Sequence, residues 1–218
     1  MKKHNFSAGP CILPQEVLQK AAAAVLNLND ESLSLIEISH RSKSFVTVME
    51  TARSLALELL GLENKGYQAL FLHGGASLEF LMVAYNLLNK KAAYLNTGTW
   101  SDNAIKEAKA FGEVLEVGSS KDQGFNYIPK GYSIPEDVDY FHCTSNNTIF
   151  GTQIKEFPKT DVPIVCDMSS DIFSRQLNFQ DFDGNDDQTV DMVILVAEGF
   201  MDGCWRDGKR SGAGGLSG

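Results

Sequence analysis

The sequence predicts an α/β protein whose sheet is mostly parallel and is covered by helices on both faces. Short apolar runs alternate with longer segments in which apolar residues recur at helical spacing. Such alternation is typical of βαβ units, because crossover helices bury both faces of a parallel sheet. The chain has 218 residues, which is enough to bury a substantial core.

Four amphipathic segments are predicted to be helices, and local signals mark where they begin or end. Pro14 suits the first turn of the first helix, because an N–H at that position would have no partner within the helix. Gly61 and Gly112 follow the second and fourth helices, where glycine is favoured just past the last turn. The predicted helices cover about residues 13–28, 45–60, 76–88 and 101–111.

The apolar runs between these helices predict the strands of the sheet. A polar, glycine- and proline-containing stretch at residues 119–137 predicts a loop. The predicted strands cover residues 67–72, 92–95, 114–117, 140–143 and 164–166, and residues 191–197 are also compatible with a strand.

Charge and cysteine content argue against several functions. The formal net charge is −9, which disfavours nucleic acid or an anionic membrane as a partner. The four cysteines are far apart and form no C-x-x-C pair, so neither a metal site nor a disulfide framework is indicated. The N-terminus lacks the apolar stretch of a signal peptide, and no run is long enough to span a membrane. We therefore expect a cytoplasmic protein with reduced thiols.

A glycine pair between a strand and a helix is the first candidate binding element. In Gly74-Gly75-Ala76-Ser77, small residues allow an anion to approach the backbone closely. The helix N-terminus then offers free N–H groups, and Ser77 adds a hydroxyl donor. This arrangement predicts a phosphate site, although a tight turn that requires glycine is the alternative.

Two further candidates follow strands. Trp100, in N-T-G-T-W, is placed to stack on a planar ring, with core packing as the alternative. Thr148 lies in T-S-N-N-T-I-F-G, a run of short hydrogen-bonding side chains whose alternative explanation is ordinary turn chemistry.

Charged residues complete the candidate set. Asp167 follows an apolar strand directly, at the edge where open α/β sheets hold ligands. Such a carboxylate can keep a pyridinium nitrogen protonated, and an N-cap for the next turn is the alternative. Arg41, beside His40 in a polar segment between helices, suits bidentate binding of a carboxylate, with a solvated surface arginine as the alternative.

The order and sequence context of these elements resemble those of the phosphoserine aminotransferases, which are fold-type I, class-V pyridoxal-phosphate-dependent enzymes. The resemblance runs from Asn5 to about Asp183. The motifs that carry it are N-F-S-A-G-P, E-I-S-H-R, H-G-G-A-S, N-T-G-T-W, T-S-N-N-T-I and D-M-S-S-D-I-F-S-R.

The resemblance implies pyridoxal 5′-phosphate as the cofactor and a role for each candidate residue. Ala76 and Ser77 would hold the cofactor phosphate, and Trp100 would stack on the pyridine ring. Thr148 would bind the ring hydroxyl, and Asp167 would pair with the ring nitrogen. The implied fold is the large domain of a fold-type I transferase.

The resemblance also implies substrates and an oligomeric state. His40 and Arg41 would bind the carboxylate or phosphate of the substrate. The family transfers an amino group from glutamate to 3-phosphohydroxypyruvate, in serine and often pyridoxine biosynthesis, and works as a homodimer. Another class-V transaminase or a cysteine desulfurase is disfavoured by E-I-S-H-R and D-M-S-S-D. A noncatalytic cofactor-binding protein remains an open alternative.

The chain departs from the family after about residue 183. The family's Schiff-base lysine lies in a G-A-Q-K-N-type motif that is missing here, so no catalytic residue is assigned. The one lysine after Asp167 is Lys209, in a glycine-rich tail without the expected neighbours. Because that lysine tethers the cofactor and moves a proton, we expect the chain to be inactive as a transaminase.

These observations predict a partial large domain at residues 1–183, a divergent tail at residues 184–218, and no C-terminal small domain. The tail is interpreted either as the product of a frameshifted, truncated or misassembled gene, or as part of a natural homologue without the lysine. The abrupt change to a glycine-rich composition, with eight glycines in those 35 residues, favours the first interpretation.

Overall fold

The computed structural model describes residues 4–6, 12–177, 179, 192–195 and 204–206. The chain divides into two compact units, Met1–Ala56 and Leu57–Gly218, which are described separately. Lys209, and with it the prediction made for that residue, lies outside the described residues.

The first unit is helical. It contains α1 (Gln15–Leu26), a 3-10 turn at Leu28–Asp30, and most of α2 (Lys43–Leu60). As predicted, α1 begins directly after Pro14, which is its N-cap. The apolar residues of α1 remain substantially exposed, whereas Leu28 is buried.

The second unit is built on a seven-stranded sheet. Its strand order is β1-β9-β8-β7-β4-β2-β3, and β5 and β6 form a separate two-stranded hairpin. In chain order the strands are β1 (Tyr67–Ala69), β2 (Lys91–Asn96), β3 (Glu113–Ser119), β4 (Phe141–Thr144), β5 (Asn146–Asn147), β6 (Thr152–Gln153), β7 (Ile164–Asp167), β8 (Met192–Leu195) and β9 (Cys204–Arg206).

The sheet is mostly parallel, as predicted. The β3–β2, β2–β4, β4–β7 and β7–β8 pairs are parallel, and β9 is antiparallel to both of its neighbours, β8 and β1. Strand β1 therefore runs in the same direction as β2, β4 and β7. The carboxyl ends of these four strands lie at one edge of the sheet, where α3 (Gly75–Leu87) and α4 (Thr99–Ala108) also begin.

The sequence located the apolar strands but missed three short ones. Strands β5 and β6 have two residues each and a polar composition, so they carry no apolar run. Strand β9 has three residues within the glycine-rich tail. Strand β8 lies within the stretch 191–197 that was compatible with a strand.

The main core lies between the sheet and helices α3 and α4. Alternate residues of the central strands face these helices, including Tyr94 on β2 and Val165 on β7. His142 on β4 has the same orientation, because its ring stacks on Tyr94 with centroids 4.8 Å apart. On the opposite face, the predicted loop covers β4 through Tyr132, whose ring stacks on Phe141.

A tyrosine pair provides the polar contact within this core. The hydroxyls of Tyr94 and Tyr140 are 2.6 Å apart, and both residues are fully buried. Burial raises the pKa of Tyr140 to about 12, so the pair is neutral and shares one hydrogen bond.

We expect Tyr94→Phe to lower the free energy of unfolding by about 1–3 kcal/mol, because it leaves the buried Tyr140 hydroxyl without its partner. The double variant Tyr94→Phe, Tyr140→Phe should lose less than the single variant, since no buried hydroxyl then remains. Urea denaturation of the four proteins of this cycle measures both effects. Additive losses in the double variant would show that the two hydroxyls do not depend on each other.

In the part of the chain that the structure describes, no helix has the length and apolar character needed to cross a membrane. The same described residues contain no group of three or more histidine, cysteine or acidic side chains arranged to hold a metal ion.

Candidate active site

The glycine pair shapes the turn that leads into α3. Gly74 is the N-cap of the helix and has φ = +121°, a conformation that residues with a Cβ rarely adopt. A Cβ at Gly74 would also collide with the side chain of Leu78. Ala76 and Ser77 then form the first turn, with Ser77 exposed, so its hydroxyl and the first helical N–H groups lie at the surface.

We expect Gly74→Ala to disrupt the start of α3 more than Gly75→Ala does. Both glycines have positive φ, but a Cβ at Gly75 meets nothing within 4 Å. The Gly75 variant should therefore cost about 1 kcal/mol of stability, and the Gly74 variant clearly more. Thermal unfolding of the two variants tests this order, and equal losses would contradict the steric explanation.

Trp100 lies in the first turn of α4 and keeps 38% of its surface exposed. The backbone just before it is fixed by the hydroxyl of Ser101, which accepts hydrogen bonds from the N–H groups of Thr97 and Gly98, each at 2.9 Å. The exposed indole, on a rigid helix start, is therefore available to a planar ligand. The indole is not buried in the core, which was the alternative explanation for this tryptophan.

Thr148 lies in the turn between β5 and β6 and is exposed. The turn is closed by a 2.8 Å hydrogen bond from the N–H of Gly151 to the carbonyl of Asn147. Ser145, just before β5, donates its N–H to the carbonyl of Asp167 at 2.9 Å. The hairpin that carries Thr148 is thus joined to the end of β7.

Asp167 is the last residue of β7 and is 4% exposed. Ser169 donates to its Oδ1 from the backbone N–H (3.0 Å) and from the hydroxyl (2.6 Å). Burial raises the pKa of Asp167, and the two hydrogen bonds from Ser169 oppose this without cancelling it. Among the described residues no lysine or arginine forms an ion pair with it.

An acid–arginine contact fixes the segment after Asp167, and the sequence-based reasoning did not assign it. Both carboxylate oxygens of the buried Asp171 accept hydrogen bonds from Arg175, at distances down to 2.7 Å. Asp171 also accepts from the amide of Gln153 on β6 at 2.8 Å. The four-residue spacing of Asp171 and Arg175 in the sequence could have indicated their ion pair. It could not have indicated the contact with Gln153 on β6.

His40 and Arg41 belong to the first unit, in the turn before α2, and both side chains are exposed. The backbone N–H of Arg41 is held by the hydroxyl of Ser39 at 3.2 Å. Their role in substrate binding remains a prediction.

The residues at the sheet edge fit a phosphorylated, nitrogen-containing aromatic cofactor. The N-terminus of α3 and the hydroxyl of Ser77 suit an anion, and Trp100 offers an aromatic face. Asp167 is a buried carboxylate without a cationic partner in the described part of the chain, which suits a protonated ring nitrogen. Thr144, the register partner of Asp167, also has a buried hydroxyl with no hydrogen-bond partner there.

The mostly parallel sheet superposes on those of solved aminotransferases, which places the protein among the fold-type I pyridoxal-phosphate-dependent transferases. The chain belongs to the aminotransferase class-V family, whose model matches residues 3–192.

Relatives of known name agree with this family. The chain is 72% identical to phosphoserine aminotransferase of Flavobacterium johnsoniae over 185 residues, which cover 84% of this chain and 52% of the relative. It is 59% identical to the same enzyme of Parabacteroides distasonis, over 84% of this chain and 51% of the relative. The chain therefore spans about half the length of the curated relatives that it matches.

Solved structures of phosphoserine aminotransferases also match this chain. The phosphoserine aminotransferase of Bacillus circulans subsp. alkalophilus superposes with a TM-score of 0.82 at 35% identity, over 93% of this chain and 56% of that one. The pyridoxal-phosphate-bound enzyme of Trichomonas vaginalis superposes with a TM-score of 0.80 at 30% identity, over 94% of this chain and 58% of that one.

Proposed function

We propose that this chain binds pyridoxal 5′-phosphate and corresponds to the cofactor-binding part of a phosphoserine aminotransferase. The observation that carries the proposal is Asp167. It is a buried carboxylate at the carboxyl edge of a parallel sheet, and no cation neutralises it among the described residues. Burying such a charge is costly unless a ligand compensates for it.

Each candidate residue has a defined task in this proposal. Asp167 would keep a proton on the ring nitrogen, and Trp100 would cover one face of the ring and exclude water from it. Thr148 would donate its hydroxyl to the ring oxygen. Ser77 and the first N–H groups of α3, from Ala76 onward, would bind the phosphate. When bound, the cofactor supplies an electron sink for chemistry at the substrate Cα.

We further propose that the whole protein to which this sequence corresponds transfers an amino group from glutamate to 3-phosphohydroxypyruvate. The relatives named phosphoserine aminotransferase support this proposal. His40 and Arg41 would bind the acidic groups of the substrates, and the protein would act as a cytoplasmic homodimer in serine and pyridoxine biosynthesis. The free thiols of Cys143 and Cys166 are consistent with that compartment.

A noncatalytic cofactor-binding protein is the second candidate function. It is favoured by the absence from the sequence of any lysine between Asp167 and Lys209. Borohydride reduction of the protein mixed with pyridoxal phosphate, followed by peptide mapping, separates the two. A covalent label on Lys209 would support catalysis, and reversible binding without a label would support a binding protein.

We expect Asp167→Asn to weaken pyridoxal phosphate binding by about tenfold or more, because a neutral amide does not stabilise a pyridinium. Absorbance titration measures the affinity, and Asp161→Asn is the control, since Asp161 is exposed and lies shortly before the start of β7. Unchanged affinity in Asp167→Asn would refute the assignment.

The same variant should stabilise the ligand-free protein at neutral pH. The folded-state pKa of Asp167 is raised above its unfolded value, so stability falls as the pH rises above the unfolded pKa, and the penalty is present at neutral pH. Asparagine removes this penalty, and urea denaturation at pH 7 measures the gain. A gain in stability together with a loss of affinity would identify Asp167 as a residue kept for binding.

A further inference from the structure

We propose that Asn147 is a positioning residue that fixes the hairpin of Thr148 against the loop of Trp100. The contact surface between them, which we call the Thr97–Asn147 seam, consists of Thr97, Gly98 and Asn147. The proposal rests on the proposed function, because it assigns to the seam the spacing of two cofactor-binding side chains.

The seam is held by a reciprocal pair of hydrogen bonds. The amide nitrogen of Asn147 donates to the hydroxyl of Thr97 at 3.2 Å, and that hydroxyl donates to the amide oxygen at 3.3 Å. Thr97 is fully buried, and Asn147 is 1% exposed. Because solvent does not reach these groups, losing one partner leaves the other without a replacement.

Close packing at Gly98 reinforces the seam. A Cβ at Gly98 would lie 2.9 Å from the amide oxygen of Asn147 and 3.1 Å from the ring of Phe150. The backbone at Gly98 is extended (φ = 165°), so conformational freedom does not explain the glycine. The absence of a side chain allows the hairpin to lie directly against the start of α4.

The seam is rigidly connected to both cofactor-binding side chains. On one side, Ser101 holds the N–H groups of Thr97 and Gly98, which immediately precede the turn of Trp100. On the other side, Thr148 follows Asn147, whose amide also donates to the Thr152 hydroxyl on β6 at 3.1 Å. A shift at the seam therefore moves Trp100 and Thr148 relative to each other.

This geometry predicts that breaking the hydrogen bonds between Thr97 and Asn147 weakens cofactor binding. Neither Thr97 nor Asn147 is one of the residues expected to touch the cofactor. A displacement of a fraction of an ångström between a stacking group and a hydrogen-bond donor is enough to weaken a ligand that needs both.

Three substitutions test the inference. Thr97→Val removes the hydroxyl at the seam and keeps its volume, and it should weaken pyridoxal phosphate binding by about tenfold. Thr97→Ser keeps the hydroxyl and should bind nearly as the wild type does. Thr152→Val is the matched control, because it removes the other partner of Asn147 but lies within the hairpin, and it should change the affinity much less.

The measurements are absorbance titration with pyridoxal phosphate and the circular dichroism of the bound chromophore, which reports its orientation. Both are made under conditions in which every variant is folded. Thr97→Val should reduce the induced dichroism at saturation, a change that a loss of stability alone would not produce. If Thr97→Val does not fold, Asn147→Ala takes its place with the same expected result.

The outcomes distinguish a failure of the seam inference from a failure of the proposed function. Equal loss of affinity in Thr97→Val and Thr152→Val, or unchanged binding in Thr97→Val, overturns the seam while the proposed function stands. If the wild-type protein does not bind pyridoxal phosphate, both the proposed function and this inference fail. A selective loss in Thr97→Val that Thr97→Ser restores supports the inference.

Discussion

Replacing Asp171 by alanine is expected to lower the free energy of unfolding by about 3 kcal/mol, the largest loss that we expect from one substitution at neutral pH. The carboxylate is fully buried, and Arg175 contacts both of its oxygens. Removing it leaves the guanidinium, whose side chain is 22% exposed, with the carbonyl of Ile154 as a hydrogen-bond partner and the ring of Phe157 at 5.9 Å, but with no carboxylate among the described residues.

The loss should be this large because Asp171 joins two parts of the candidate site. It accepts hydrogen bonds from Gln153 on the hairpin and from Ser174 in its own turn. Burial alone would raise the pKa of Asp171, but the hydrogen bonds from Arg175 and Ser174 lower it below the ordinary value. A folded-state pKa below the unfolded one means that this stabilisation exists above the unfolded pKa and disappears as the pH falls through the folded pKa.

Urea denaturation at pH 7 measures the loss, with Asp161→Ala as the control for removing an exposed aspartate. The double variant Asp171→Ala, Arg175→Met should lose less than the sum of the two single variants, because no unpaired charge remains. A loss below 1 kcal/mol in Asp171→Ala would show that water replaces the carboxylate at little cost. The difference from the wild type should also shrink as the pH falls below about 4.

The sequence was sufficient to place several of the candidate residues, because they follow apolar strands or lie at the start of helices. Asp167 ends β7, directly after the predicted strand, and Trp100 lies in the first turn of α4, directly before the predicted helix. Parallel strands bring such residues to one edge of the sheet whatever the details of the loops. The positions of these residues were therefore fixed by topology, and their binding roles stay predictions.

The contacts that hold those residues in place could not be predicted, because they join segments that are distant in the chain. The pairing of Asn147 with Thr97 depends on how the hairpin packs against α4, and the hairpin strands are too short and polar to leave a pattern. The pairing of Gln153 with Asp171 depends on the same hairpin. Local propensity describes each segment but not the register between them.

The pH dependence of stability is expected to reveal the effect of His142, a residue that no sequence motif singles out. The ring is 1% exposed, and both nitrogens lack a hydrogen-bond partner in the described part of the chain. It lies between Tyr94, on which it stacks, and Phe80, whose ring meets it edge-on at 6.1 Å. Burial among these groups lowers the pKa of His142 to about 3.

Because the pKa of His142 is lower in the folded state than in the unfolded state, acid destabilises the protein. The unfolded chain has a histidine pKa of about 6.5, so between that pH and about 3 the unfolded state binds a proton that the folded state excludes. Stability should therefore fall with decreasing pH by up to about 1.4 kcal/mol per pH unit, and by about 3 kcal/mol between pH 6.5 and pH 4. Above pH 7 His142 is neutral in both states and contributes no pH dependence.

His142→Phe isolates this contribution, because it keeps an aromatic ring beside Tyr94 and removes the titrating group. Its overall stability is expected to change through packing, but the difference from the wild type should vary with pH only between about 3 and 6.5. His73→Gln is the control, since His73 is exposed. Asp167 and Asp171 titrate in both proteins and cancel in the difference. A difference that stays constant from pH 7 to pH 4 would show that the folded protein accommodates the protonated ring.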